Sequence, residues 1–163
     1  EIILIPVVGA VEYKNSNGNF GLIQAGQVQT SVMSKGNTIE IKNPFESELV
    51  NFLQIWIKRN INDNHRKPLL ISFDLNTERN KLIHFPKNYS KCSIGKYRGR
   101  EKGVYEISNQ KNGVFVFIIE GAFEVQDRLL HARDGLALWN SSTIEFEALS
   151  NDAIILMLEV PGL

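Results

Sequence analysis

The side chains best suited to chemistry in this chain are three histidines and one cysteine: His65, His84, His131 and Cys92. A transition metal requires several imidazole, thiolate or carboxylate donors converging on one point, and no two of the histidines stand at metal-ligand spacing. His65 lies in the polar run from Arg59 to Pro68 and reads as a solvated loop residue. His84, within Leu82-Ile83-His84-Phe85, reads as a half-buried structural histidine. His131 ends a short strand before Ala132-Arg133-Asp134-Gly135 and reads as turn-facing. Lys91 and Lys96 stand near Cys92 and would lower its thiol pKa modestly, but a structural or exposed thiol is the plainer reading. Ser141-Ser142-Thr143 reads as a turn, not as a nucleophile with its base. Gly95-Lys96-Tyr97-Arg98-Gly99-Arg100 interleaves basic and aromatic residues in a pattern able to stack on a nucleobase, and it is read instead as a solvated strand and loop. Trp56 and Trp139 sit in apolar strands and are expected in the core. No catalytic residue and no cofactor-binding residue is assigned.

Composition narrows the partners. Over 163 residues, 18 basic side chains balance 18 acidic ones, so no global field draws in nucleic acid or an anionic membrane. The apolar runs are far shorter than a membrane span. A single cysteine excludes an intrachain disulfide and fits a reducing cytoplasm. The chain opens on Glu1, inside the strand-like run Glu1–Val8 and without an initiator methionine, so further N-terminal sequence is expected to precede it.

The elements that must position these residues are strands. Two-residue periodicity dominates, with candidates at Ile2–Val8, Ala10–Lys14, Gly21–Gln24, Gln27–Met33, Thr38–Lys42 and Leu49–Lys58. A second series covers Lys81–Phe85, Lys91–Tyr97, Gly103–Ile107, Gly113–Glu120, Phe123–Val125, Leu129–His131, Leu136–Trp139, Thr143–Glu147 and Ala153–Glu159. Short strands parted by Gly, Asn and Asp turns indicate sandwiches or barrels. Asn15-Ser16-Asn17-Gly18 supplies residues tolerant of positive φ for one hairpin.

The two series repeat each other. Gly9-Ala10-Val11-Glu12 is echoed by Gly121-Ala122-Phe123-Glu124, and Leu22-Ile23-Gln24-Ala25-Gly26 by Leu129-Leu130-His131-Ala132-Arg133. Each echo of the first kind follows an apolar strand and precedes another, which marks a duplicated β unit. The division read from the sequence is a first unit over residues 1–60, a connector over 61–79 and a second unit over 80–163.

With Glu1-Ile2-Ile3-Leu4, Gly9-Ala10-Val11-Glu12, Asn17-Gly18-Asn19, Ala25-Gly26-Gln27-Val28-Gln29 and Phe52-Leu53-Gln54-Ile55-Trp56-Ile57, the chain resembles the N-terminal cupin of the pirins. Asp134-Gly135-Leu136-Ala137-Leu138-Trp139 and Ile154 to Pro161 resemble the second cupin of bacterial pirin-like proteins. The resemblance covers nearly the whole chain. It implies an all-β bicupin, two small antiparallel β-barrels of jelly-roll type, the first incomplete.

It also implies where a metal would sit. Members of the family carry iron, or another divalent transition metal, on three histidines and one glutamate of the N-terminal cupin. An H-x-H pair would precede Glu1. An H-x-E pair, aligned on Gly36, Thr38 and Asn43, falls at Ile39 and Ile41. Residues two apart share a strand face, so Glu40 points the other way, and isoleucine has no lone pair to give. The expectation is a metal-free chain with no cofactor, binding a small molecule, possible ligands being small aromatic compounds, or regulating a partner. The resemblance equally implies an alternative, a quercetin 2,3-dioxygenase-like oxygenase using the metal. A third implication is an interaction module like the nuclear pirins of animals, with exposed strand edges able to drive self-association.

Overall fold

A computed structural model describes residues 1–58, 68–85 and 91–162, and among them there is no helix. Consequently no helix of the described residues is long and apolar enough to cross a membrane. The chain divides into two compact units, Glu1–Phe73 and Asp74–Leu163.

In the first unit the strands are β1 (Ile2–Val8), β2 (Ala10–Asn15), β3 (Phe20–Gln24), β4 (Gln27–Ser31), β5 (Ile39–Lys42), β6 (Asn51–Trp56) and β7 (Leu69–Ser72). They form one sheet in the order β6-β1-β4-β7 and another in the order β3-β2-β5. Strict alternation produces the inner faces. On β5, Ile39 and Ile41 turn inward and Glu40 and Lys42 outward, as period-two geometry requires. Ile2, Leu4, Val11 and Ile23 form the buried cluster, and Tyr13, Met33, Ile39, Ile41, Val50 and Phe52 pack against it. The hairpin between β2 and β3 is held by Asn15, whose side-chain oxygen accepts from the backbone N–H of Asn17 and of Asn19, each at 3.0 Å. This is the local role of asparagine anticipated at that turn.

The second unit contains β8 (Leu82–His84), β9 (Lys91–Tyr97), β10 (Lys102–Glu106), β11 (Gly113–Glu120), β12 (Ala122–Val125), β13 (Arg128–His131), β14 (Gly135–Leu138), β15 (Thr143–Ala148) and β16 (Ala153–Val160). Its sheets run β14-β11-β16-β9-β8 and β10-β15-β12-β13. Tyr97, Phe123 and Phe146 meet edge to face at its centre, with ring centroids 5.2–6.1 Å apart, a geometry that adds to simple burial. The Phe146 ring lies over Gly103 on the neighbouring strand, where any side chain would collide with it.

The internal repeat is visible in the pairing. β1 pairs with β4 and β6 as β11 pairs with β14 and β16. β2 pairs with β3 and β5 as β12 pairs with β13 and β15. Just before each connecting glycine the ladder slips, between Pro6 and Val8 in one unit and between Ile118 and Glu120 in the other. Gly9 and Gly121 then take left-handed φ values of 76° and 77°. That conformation is open to glycine and strained for other residues, so the echo seen in the sequence is one chain reversal used twice.

Two expectations change. Leu69–Ser72, read as part of the connector, is a strand paired with β4; its four residues are apolar enough to pair once the polar stretch before them is passed. Trp56 and Trp139, expected in the core, are 63% and 65% exposed. Both stand at or just past the end of an outermost strand of a sheet, and the Trp139 ring covers the backbone of Gly113.

Candidate functional site: the interior of the first barrel

Residues directly opposite one another on antiparallel strands share a face. Leu4 stands opposite Gln29, and Ile2 opposite Ser31. Since Ile2 and Leu4 belong to the buried cluster of the first unit, the amide of Gln29 and the hydroxyl of Ser31 point into the same interior as Ile39 and Ile41. Gln29 is only 1% exposed, yet neither its side-chain oxygen nor its nitrogen has a hydrogen-bond partner. The Ser31 hydroxyl is likewise buried and unpartnered. Thr30, also buried without a partner for its hydroxyl, faces the opposite side of the sheet with Ile3. Most buried polar side chains are satisfied, and an unmatched amide costs about 1–3 kcal/mol.

The residues on this inner face do not fit a divalent transition metal. Ile39 and Ile41 offer no donor, and the neutral amide and hydroxyl of Gln29 and Ser31 are poor substitutes for imidazole and carboxylate. Glu40 is turned outward, where its carboxylate pairs with Lys42 at 3.1 Å. Among the described residues no group of three or more His, Cys, Asp or Glu side chains is placed to hold a metal ion.

The histidines are not brought together. His65 lies outside the described residues. His131 is exposed at the end of β13, its backbone N–H donating to the Asp134 carboxylate at 2.8 Å. His84 is more exposed than its sequence suggests, but its ring is anchored: Nδ1 and the Ser93 hydroxyl share a hydrogen bond of 2.8 Å. Cys92 is buried. Tyr97, the aromatic residue of the basic stretch, is turned into the core, and Lys96 beside it pairs with Asp152 at 3.3 Å. Neither is displayed as a platform for a base.

The second unit holds a polar cluster that spacing did not reveal. Glu159, 2% exposed, accepts from the Tyr105 hydroxyl at 2.9 Å, from Asn112 Nδ2 at 2.6 Å and from the Ser108 backbone N–H at 3.1 Å, and also from the Ser108 hydroxyl. Burial by itself would raise the Glu159 pKa, but the hydrogen bonds from Ser108, Asn112 and Tyr105 outweigh it and hold the carboxyl below its ordinary value. Burial, reinforced by Glu159, pushes the Tyr105 phenol in the opposite direction, well above the usual tyrosine range. Beside this cluster a cleft of about 400 Å³ is lined by residues including His84, Lys91, Ser93 and Tyr105. The carboxylate ties together Tyr105 on β10, the loop after it, and Lys91 on β9, whose Nζ lies 3.7 Å away, so it acts as a structural clamp.

Gln29, Ser31 and Glu159 were all missed by the search for familiar ligand and nucleophile types. A signal for the first two was present: Gln27-Val28-Gln29-Thr30-Ser31 places polar residues on both faces of a strand that pairs on both sides.

Comparison with known proteins agrees with this fold. Residues 90–160 match the family described as the quercetinase C-terminal cupin domain. The chain is 26% identical over 175 residues to a quercetin 2,3-dioxygenase of Escherichia coli strain K12, covering 99% of this chain and 72% of that protein. The fold is that of YhhW from Escherichia coli, with a TM-score of 0.84 at 22% identity over 99% of this chain and 72% of that one. It also matches the bacterial pirin YhhW of Escherichia coli solved in complex with nickel(II), with a TM-score of 0.83 at 21% identity over the same shares. With two β units built on one repeat, these likenesses support a pirin-like cupin protein.

Proposed function

We propose that this pirin-like protein binds a small molecule in its first barrel without the transition metal of its family, and that it acts as a binding or regulatory protein of the cytoplasm rather than as an oxygenase. The observation that supports this reading is the inner face of β5. Where the family's histidine and glutamate are expected, Ile39 and Ile41 pack against Ile2, Leu4, Val11 and Ile23, and the nearby carboxylate of Glu40 is engaged outside with Lys42. The second unit supports it further, because its equivalent positions are also apolar. Tyr13 opposes Ile41 as Val125 opposes Phe146, so Ile144 and Phe146 occupy the places of Ile39 and Ile41. Elemental analysis of the purified protein, grown with iron and nickel supplied, tests the reading. Substoichiometric metal is expected, and one tightly held transition metal per chain would overturn it.

The names of the relatives favour a second reading, a flavonol-cleaving oxygenase. That reading requires metal-dependent loss of quercetin absorbance, which the first reading excludes.

A further inference from the structure

The cleft of about 400 Å³ in the second unit falls in the size range of small-molecule sites. It lies between the outermost strands of two different sheets, β8 and its neighbour β9 on one side and β10 on the other. The two walls carry opposite charges. β9 contributes Lys91, whose side chain is 35% exposed and meets Glu159 at 3.7 Å, so that N–H donors of its ammonium are left over for a further acceptor. β10 contributes Glu106, which is exposed and has no ion-pair partner among the described residues. His84 adds a third polar group, and the 57% exposed Val104 adds an apolar surface that is open to solvent.

We propose that this cleft binds a zwitterion, an α-amino acid with an apolar side chain, taking its carboxylate on Lys91 and its ammonium on Glu106 and His84. The site lies in the second unit and does not depend on whether the first holds a metal. The ligand class follows from the charges on the walls. A simple carboxylate that pairs with Lys91 meets a like charge at Glu106, and a simple amine that pairs with Glu106 meets one at Lys91; a molecule with both groups matches both walls. The hydrogen bonds behind the cleft give His84 its part. The ionised Glu159 only accepts, so the Tyr105 hydroxyl donates to it at 2.9 Å. The Tyr105 oxygen receives the Ser93 hydroxyl proton, and the Ser93 oxygen accepts in turn from His84 Nδ1–H at 2.8 Å. Nε2 of the neutral ring then carries a lone pair, and it has no partner among the described residues. An ammonium, with three donors, satisfies that lone pair and Glu106 together. The apolar side chain of the ligand covers Val104.

The experiment uses the whole chain and three probes of one shape, followed by ligand-detected NMR: L-phenylalanine, 3-phenylpropionate, which lacks the ammonium, and phenethylamine, which lacks the carboxylate. L-phenylalanine should bind about tenfold more tightly than either of the others. Glu106→Gln, at an exposed position, should weaken L-phenylalanine by about tenfold and leave 3-phenylpropionate bound as well as before or better. Lys91→Met should do the reverse, weakening L-phenylalanine while sparing phenethylamine, and His84→Phe should weaken both ammonium probes and spare 3-phenylpropionate. Because Lys91 also touches Glu159, its urea midpoint is measured alongside, and Glu106→Gln decides the matter if Lys91→Met fails to fold. Three results would overturn the site: no binding of L-phenylalanine, equal binding of L-phenylalanine and 3-phenylpropionate, or L-phenylalanine binding unchanged in Glu106→Gln.

Discussion

The two units use one strand pattern for two kinds of interior. In the second, Ile144 and Phe146 stand on the inner face of β15, Leu136 and Leu138 stand on β14, and the aromatic trio of Tyr97, Phe123 and Phe146 fills the centre. Its buried carboxylate, Glu159, has partners for both oxygens. In the first, the positions of Ile144 and Phe146 are again apolar, but those of Leu136 and Leu138 are Gln29 and Ser31, buried without partners. The place of Glu159 is taken by the exposed Trp56, since Ile2 opposes Trp56 as Val114 opposes Glu159. One interior closes on itself and contributes stability; the other buries hydrogen-bonding groups that it leaves unmatched.

The contrast can be broken most forcefully at the aromatic centre. Phe146→Ala should cost about 4 kcal/mol in urea unfolding, because it opens a cavity under Gly103 and removes two edge-to-face contacts, whereas Ile41→Ala, only partly buried, should cost about half as much. Equal losses would mean that the two interiors are packed alike. Glu159→Ala should cost about 3 kcal/mol, because it strands the Tyr105 hydroxyl, the Ser108 N–H and the Asn112 amide. Its signature is pH. Since the folded pKa of Glu159 is depressed, its contribution is present above the ordinary glutamate value and is lost as pH falls through the folded one. Acid titration of stability should therefore flatten in Glu159→Ala, and an unchanged acid limb would show that the clamp carries no charge-dependent stability.

Alanine at the two matched glycines sharpens the comparison of backbones. Both substitutions force a side chain into the left-handed region, at about 1–2 kcal/mol. Gly121→Ala should cost more than Gly9→Ala, because a Cβ at Gly121 also collides with Ser150 and Ala153. The smallest effect has the opposite sign: Gln29→Leu should stabilise the ligand-free protein by about 1 kcal/mol, seen as a higher urea midpoint, by removing an unmatched amide. A destabilised Gln29→Leu would indicate that the amide is satisfied in solution.

Much of the fold was legible in the chain. Alternation found the strands flanking each reversal, and the Gly9 and Gly121 echoes located the duplication because left-handed backbone favours glycine. Period two also placed Ile39 and Ile41 inward and Glu40 outward, which the burial along β5 shows. β7 was hidden, because four apolar residues after a polar run lack a period of their own. Trp56 and Trp139 misled because residue type encodes hydrophobicity but not whether a strand ends at the edge of a sheet. Gln29 and Ser31 escaped notice for a related reason. A polar residue in a strand looks solvated until pairing shows which face it shares, and only the register with Leu4 and Ile2 turns these two inward.

The central claim is that the first barrel works without a metal, and elemental analysis of the purified chain tests it most directly. After growth with iron and nickel supplied and no chelator in purification, the protein should carry neither in stoichiometric amount. One equivalent of either, retained through dialysis, would contradict the account.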